Sequence, residues 1–189
     1  MREAERQIRR SVEVKLGLLA EGGAEVIERM ADEAARALGS GGRLFVFGNG
    51  GSAADAQHIA GELVGRFMKE RRALPVQALT TDTSVLTAVG NDYGFEETFA
   101  RQVEAFVKKG DVVLALSTSG NSRNVVKAAE LARERGAVVL GFAGRGGGKL
   151  KEVADICLVV PADESPRVQE SHITAGHIIC DLVERRLFE

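Results

Sequence analysis

The sequence predicts a three-layer α/β/α sandwich built on a five-stranded parallel sheet. Five apolar runs have the length of buried parallel strands, and most of them alternate with segments of helical periodicity. Glycine is frequent, at 22 residues, but it clusters at turns between these segments. The predicted strands are Leu44–Phe47, Val76–Leu79, Val112–Leu116, Val138–Phe142 and Ile156–Val160.

Helical segments precede and follow the predicted sheet. Two helices, Glu3–Leu19 and Ala24–Leu38, come first, and a long helix, Ser165–Phe188, comes last. Apolar residues of the first helix recur at helical spacing, at Ile8, Val12, Leu16 and Leu19. A small α/β core need not cover this stripe, so residues 1–40 are predicted to be a helical oligomerisation segment.

Length and composition indicate one cytoplasmic domain over residues 1–189, without a linker or a repeat of fixed period. The net charge of -2 and a pI of about 6.0 argue against a nucleic-acid partner. No apolar run approaches the roughly 18 residues that a membrane span needs, and the N-terminus lacks the apolar region of a signal peptide. Cys157 and Cys180 lie far apart in apolar surroundings and are expected to be reduced core thiols.

The stretch Phe45–Leu63 combines an anion-binding turn with groups able to do chemistry. A predicted strand ends in Gly48–Ser52, a turn of glycine and small polar residues that opens a helix. Such a turn leaves backbone N–H groups free to bind an anion. His58 and Glu62 follow four residues apart on one helix face, where they can act as metal ligands or as a base with its partner.

Two further loops follow predicted strands. Ser117–Ser122 carries four hydroxyl residues and an asparagine before the predicted helix Val125–Arg135, which suits a phosphate. An ordinary N-cap and turn is the alternative, but the similar turn at Gly48–Ser52 favours the phosphate. Gly144–Gly148 is interpreted as a flexible connection of little functional weight.

The remaining polar candidates lie on the last helix and on two connections. Gln169 and His177 are eight residues apart, about 12 Å along a helix, so they share an ion only if both lean toward it. Asn91-Asp92 closes an apolar helix, for which C-capping is the simpler explanation. Arg66–Arg72 is predicted to be a solvated loop from which Arg66 can reach an anionic ligand.

Four segments of the sequence resemble one known family. They are GNGGSAADAQHIAGEL, LTTDTSVLTAVGNDYGFEETFARQV, GDVVLALSTSGNSRNVVKA and RVQESHITAGHIICDLVE. Over essentially the whole chain, they resemble the sugar isomerase (SIS) family and, within it, the phosphoheptose isomerases. STSGNS alone marks only the flavodoxin-like SIS fold, whereas its combination with His58, Glu62, Gln169 and His177 is far more specific.

The resemblance implies an aldose–ketose isomerase that forms a homotetramer with active sites at subunit contacts. It implies one zinc ion per subunit, held by His58, Glu62, Gln169 and His177. The implied substrate contacts are Asn49, Gly50, Gly51, Glu62, Asn91, Asp92, Ser117, Thr118, Ser119, Ser122 and Gln169. Isomerisation needs two groups that exchange protons, and Glu62 is assigned as the base and His177 as the acid.

Three functions remain open at this point. The first is the interconversion of sedoheptulose 7-phosphate and D-glycero-D-manno-heptose 7-phosphate, the first step of heptose biosynthesis for lipopolysaccharide or related glycans. The second is a non-catalytic SIS protein that binds a replication-initiator protein, but such relatives typically lack the carboxylate at Glu62 and the histidine at His177. The third is a sugar-phosphate-binding regulatory module, which needs an output domain that 189 residues do not accommodate. The enzyme is favoured.

Overall fold

A computed structural model of the chain describes residues 2–189. The strands are β1 (Leu44–Gly48), β2 (Val76–Ala78), β3 (Val112–Ser117), β4 (Val138–Gly144) and β5 (Ile156–Val160). The helices are α1 (Glu3–Ala20), α2 (Gly23–Gly39), α3 (Gly51–Val64), α4 (Thr83–Asp92), α5 (Ala100–Phe106), α6 (Arg123–Glu134), α7 (Gly148–Val153) and α8 (Ser165–Phe188). A 3₁₀ turn, Phe95–Glu97, separates α4 from α5.

The five strands form one parallel sheet in the order β2-β1-β3-β4-β5, which confirms the predicted α/β sandwich. The chain continues from β1 to β2 on one side of β1 and then to β3 on the other side. The strand order therefore reverses between β1 and β3, which are direct neighbours. Gly48 at the end of β1 pairs with Leu116 near the end of β3. In open α/β sheets, ligands bind at such a switch point, beyond the carboxyl ends of the strands. The two predicted anion loops both begin there.

Helices cover both faces of the sheet. Along β1, Leu44 and Val46 pack on one face with α2, α3 and α8, and Phe45 and Phe47 pack on the other with α5, α6 and α7. This division follows from the strand geometry, because successive side chains point to opposite faces. All residues of β1 and β3 are buried, as expected for central parallel strands covered by helices on both sides.

Helix α1 leaves most of its apolar stripe uncovered by the chain's own core. Val14 and Leu18 are buried, whereas Ile8 and Leu16 are 66% and 60% exposed. Within residues 2–189, no helix has the length and apolar character needed to cross a membrane. Because Ile8 and Leu16 are exposed, the stripe is a candidate contact surface for another protein chain.

The expectation of a solvated loop at Arg66–Arg72 is wrong for Arg71. Arg66, Met68 and Glu70 are exposed, but the Arg71 side chain is only 2% exposed and forms an ion pair with Glu184 of α8 at 2.9 Å. The charge-rich sequence hid this contact, because the partner lies more than a hundred residues away along the chain.

Both cysteines are free thiols. Cys180 is buried, as expected, and burial raises its pKa to about 12. Cys157 is only half-buried, and desolvation raises its pKa to about 11. Thiols with such raised pKa values are weak nucleophiles near neutral pH, so neither is a candidate catalytic group.

Candidate active site

The loop after β1 is a tight turn that depends on glycine. Gly50 has φ +57°, a conformation that side-chain-bearing residues rarely adopt. At Gly48, a Cβ atom would lie 2.8 Å from the Cβ of Ser52 and 2.9 Å from the carbonyl oxygen of Leu116. The backbone between β1 and α3 can therefore turn close to the end of β3. The N–H groups of this turn lie at the beginning of α3.

Asn49 in this loop is held by a residue that sequence reasoning missed. The Asn49 and Asn124 amides exchange two hydrogen bonds, each of 2.9 Å, and Asn124 is buried in the first turn of α6. This pair fastens the turn after β1 to the beginning of the helix after β3. Asn124 directly follows the SGNSR segment, but no local pattern distinguishes it from an ordinary residue of the first helical turn.

The loop after β3 has the features of a phosphate site. Ser117 Oγ donates to Ser122 Oγ at 3.0 Å, and the Ser122 backbone N–H donates to Ser117 Oγ at 3.3 Å. These bonds hold Ser122 in place directly before α6. The N-terminus of that helix favours a negative charge. Thr118 and Ser119, half-exposed, lie between them.

The loop Gly144–Gly148, interpreted from sequence as a flexible connection, instead braces the loop after β3. Gly144 N–H donates to the Thr118 carbonyl at 3.1 Å, and Lys149 N–H donates to Asn121 Oδ1 at 3.1 Å. A Cβ on Gly120, which has φ +67°, would lie 1.9 Å from the Gly147 carbonyl oxygen. The glycines of this loop permit close backbone packing, so the earlier interpretation is wrong.

Three of the predicted chemical groups meet between α3 and α8. His58 Nε2 lies 3.1 Å from Glu62 Oε1, and His177 Nε2 lies 2.9 Å from His58 Nε2. One donor atom from each of the three residues falls within 4.8 Å of the others. His58 is exposed, whereas Glu62 and His177 are half-buried, so the group opens to solvent from one side.

Helices α3 and α8 run side by side in the same direction, and this places the site residues along a shared groove. Gln169 lies against Gly51, His177 against His58, and Gly176 against Ile59. The Gln169 amide occupies the space of a Gly51 side chain, 2.6 Å from where its Cβ would be. Gly51 precedes His58 by seven residues, about 10 Å along the axis. Gln169 as a fourth ligand therefore stays a prediction.

Asp55 is a second residue of the site that the sequence did not reveal. Its Oδ2 atom is buried and has no hydrogen-bond partner within residues 2–189. Burial raises the pKa of the Asp55 carboxyl, while the nearby His58 and His177 oppose the rise. A carboxyl group thus lies beside both imidazoles of the cluster.

Two other sets of polar residues lie apart from the histidine cluster. Asn91 and Asp92, at the end of α4, are exposed and hydrogen-bonded to each other at 2.7 Å, and the structure shows no contact that brings them to the histidine cluster within the described chain. His172, the third histidine, lies in the core, where its Nε2 meets the Ala143 carbonyl at 3.2 Å and burial lowers its pKa to about 4. His172 stays outside the site.

Comparisons with known proteins identify the family of the chain. The SIS domain family matches residues 9–144. A phosphoheptose isomerase of Geotalea daltonii is 59% identical over 165 residues, which are 87% of this chain and 84% of that protein. The chain belongs to the phosphoheptose isomerase family.

Solved structures of the family have the same fold. The phosphoheptose isomerase of Francisella tularensis superposes with a TM-score of 0.93 at 35% identity, covering 97% of both chains. That of Neisseria gonorrhoeae superposes with a TM-score of 0.90 at 40% identity, covering 96% of this chain and 97% of the other. Both the resemblance and the fold predicted from the sequence are thereby confirmed.

Proposed function

We propose that the chain is an isomerase that interconverts sedoheptulose 7-phosphate and D-glycero-D-manno-heptose 7-phosphate through an enediol. The chain is a member of this family, and the observation that carries the proposal is the cluster of His58, Glu62 and His177. This cluster joins a carboxylate and imidazoles, which are groups able to move protons. The product would enter heptose biosynthesis for lipopolysaccharide or related glycans.

Glu62 and His177 divide the proton transfers. Glu62 takes a proton from C1 of the ketose as His177 donates a proton to the C2 oxygen, and the enediol forms. His177 then accepts the proton of the C1 hydroxyl, and the protonated Glu62 returns its proton to C2, which yields the aldose. The two residues end in their starting protonation states, so one pair serves both directions.

The donor set of the cluster fits zinc. Two imidazole nitrogens and a carboxylate oxygen are ligands that zinc accepts, and here their atoms converge from two helices. We propose that His58, Glu62 and His177, with Gln169 as fourth ligand, hold one ion per subunit. When bound, the ion would act as a Lewis acid that polarises the substrate carbonyl. A coordinated carboxylate is a weaker base, and an imidazole nitrogen bound to zinc cannot carry a proton to donate. Glu62 and His177 therefore cannot be tightly held ligands and the acid–base pair at the same moment.

Substrate contacts are proposed for both loops at the switch point and for four residues beyond them. The loop hydroxyls and the α6 N-terminus would bind the phosphate, and the remaining residues would bind the sugar. The proposed contacts are Asn49, Gly50, Gly51, Glu62, Asn91, Asp92, Ser117, Thr118, Ser119, Ser122 and Gln169. Asn91 and Asp92 would act at a contact with another subunit, since they stand apart from the cluster within the chain.

Replacing both Ser119 and Ser122 by alanine should raise KM for the sugar phosphate about tenfold or more, because hydrogen bonds to a charged group are strong. The value of kcat should change much less, because these hydroxyls bind the phosphate rather than the reacting carbons. Steady-state kinetics will measure both constants, with Ser40→Ala, an exposed serine between α2 and β1, as control. An unchanged KM in the double variant would remove the phosphate role of this loop.

We propose a homotetramer in which α1 packs against a neighbouring subunit. Its support is the exposed stripe of α1 together with α4, of which no side chain is fully buried against residues 2–189. We also propose a cytoplasmic location, which fits two free thiols in one small chain.

Deleting residues 1–20 should convert the tetramer into smaller or aggregated species, because the deletion removes the apolar stripe that the assembly would bury. Light scattering coupled to size exclusion will measure the mass. Replacing the exposed ion pair Arg6–Glu3 by alanines is the control and should leave the mass unchanged, since surface pairs contribute little. A wild-type monomer at micromolar concentration would contradict the assembly.

The function itself is tested by offering the purified chain ketose phosphates of five, six and seven carbons, with and without a chelator. We expect turnover of sedoheptulose 7-phosphate above that of the shorter sugars. Binding of all three sugars without conversion of any would favour the regulatory module, and turnover only of a shorter sugar would correct the substrate.

A further inference from the structure

A buried ion pair lies just outside the proposed active site. Arg71 and Glu184 meet at 2.9 Å, and their side chains are 2% and 1% exposed. Buried ion pairs are often no better for stability than apolar residues of similar volume, because both charges lose their hydration. What such a pair does provide is a fixed geometry, when every hydrogen-bonding group of both partners is used.

Glu184 gathers the backbone that follows α3. Its Oε1 accepts the Phe67 N–H at 2.8 Å, and its Oε2 accepts the N–H groups of Met68 and Lys69 at 2.8 and 3.0 Å. With the Arg71 bond, the carboxylate accepts four hydrogen bonds. Burial by itself raises the pKa of Glu184. The three backbone donors and Arg71 together lower the pKa by more than burial raises it, so the carboxylate stays ionised.

Arg71 binds the end of α3 itself. Its guanidinium donates to the Glu62 carbonyl at 3.0 Å, to the Gly65 carbonyl at 2.8 Å and to the Arg72 carbonyl at 3.1 Å. The carbonyls of the last helical turn have no partner within the helix, so a donor here fixes that turn. One of these carbonyls belongs to Glu62, whose side chain lies in the histidine cluster.

The same segment contacts His177. The Phe67 ring stacks on the His177 ring, with centroids 5.8 Å apart and an angle of 26° between the planes. Its own N–H is bound by Glu184, seven residues after His177 on α8 and therefore on nearly the same helix face. The Arg71–Glu184 pair therefore contacts the backbone of Glu62, which is the proposed base. It also contacts Phe67, whose ring packs on His177, the proposed acid.

We infer that Arg71 and Glu184 are positioning residues, which set the distance between Glu62 and His177 by fixing the last turn of α3 and the Phe67 ring. The inference rests on the proposed function for its kinetic consequence, but not for its structural one. Neither residue touches the proposed substrate loops. Their loss should therefore act on the proton transfers and on metal binding, and leave recognition of the phosphate intact.

The decisive variants separate geometry from stability. Arg71→Lys keeps the positive charge, but an ammonium group cannot span the three carbonyls and Glu184 together. Glu184→Gln keeps the shape, but replaces an acceptor oxygen by a donor facing backbone N–H groups. Arg71→Met with Glu184→Leu removes both buried charges, so it should be more stable than a chain with only one of these two changes, which keeps one buried charge unpaired. Arg72→Met, an exposed neighbour in the same segment, is the control.

We expect kcat for sedoheptulose 7-phosphate to fall about 10- to 100-fold in all three designs, because small displacements of catalytic groups are costly. KM should stay within about threefold, and Arg72→Met should match the wild type. A stabilising role alone makes the opposite prediction: activity would return in the double variant as its thermal unfolding temperature recovers. Wild-type kcat in Arg71→Lys, or recovery of kcat in the double variant, would overturn the inference.

Two measurements keep the inference apart from the proposed function. A wild type that fails to convert the sugar refutes the function. Competition with a chelator should still show zinc alone bound about tenfold more weakly by the variants, because Glu62 is displaced. A comparison of crystal structures should show the Phe67 ring stacked on His177 in the wild type and displaced from it in the double variant. Unchanged ring stacking together with unchanged zinc affinity would overturn the positioning role, whether or not the wild type is active.

Discussion

Glu62→Gln and His177→Gln should each lower kcat at least about a hundredfold, the usual scale for a positioned acid or base. Each change roughly keeps the size of the side chain but removes the group that takes or gives the proton in the proposed mechanism. Both variants should keep the assembly of the wild type and bind sedoheptulose 7-phosphate with a similar affinity. Initial rates, light scattering and calorimetric binding will measure these three properties.

Glu70→Gln is the matched control, because Glu70 is exposed, with a side chain 91% accessible, and lies eight residues after Glu62. Its kcat should equal that of the wild type. Near-normal turnover in Glu62→Gln would end this mechanism and move the base role to His177 or Asp92. Exchange of deuterium from solvent into C2 of the product would support a proton transfer through the enediol, and its absence would favour a hydride shift.

The sheet and both loops at its edge could be predicted from the sequence, because the signals are local. Apolar runs such as Val112–Leu116 are short and uninterrupted, and the turns that follow them contain residues that cap helices and bind anions. The carboxyl ends of parallel strands share one edge, so the loops at Gly48–Ser52 and Ser117–Ser122 were expected on one side. That these strands are direct neighbours depends on the strand order, which no local pattern contains.

The meeting of α3 and α8 could be expected from the family resemblance, but its geometry could not. The two helices are more than a hundred residues apart along the chain. They approach closely because Gly176 has no side chain, and a Cβ there would lie 2.8 Å from Ile59 Cδ1. In the sequence, this glycine is one small residue among others in the last helix.

The errors arose where a long-range contact overrides local character. Arg71 belongs to a charge-rich segment, and such segments are usually solvated, but Glu184 provides a buried partner. Gly144–Gly148 is glycine-rich, and glycine usually signals freedom of the backbone. Here the same glycines allow the chain to pack against Gly120. Asn124 was missed because its partner, Asn49, is distant in the sequence. Asp55 was missed because its buried carboxylate oxygen has no hydrogen-bond partner within the described residues.

Replacing His58 and His177 together by alanine should abolish zinc binding, whereas the wild type should bind about one ion per chain after loading. The two imidazoles supply two of the three clustered donor atoms, and Glu62 alone cannot hold zinc at a useful affinity. Metal analysis after removal of free zinc will count the ions. Gln169→Ala should weaken binding rather than abolish it, because an amide oxygen is an uncommon and weak zinc ligand.

His172→Gln is the control for zinc binding by any histidine. His172 lies five residues before His177, about 140° around α8, and faces the core, so the ion count should not change. Activity gives a second readout: a chelator should lower wild-type turnover, and added zinc should restore it. Equal zinc content in the double-alanine variant would show that the ion binds elsewhere. The cluster would then serve the isomerase only through its protons, and Glu62 would be free to act as the base throughout the reaction.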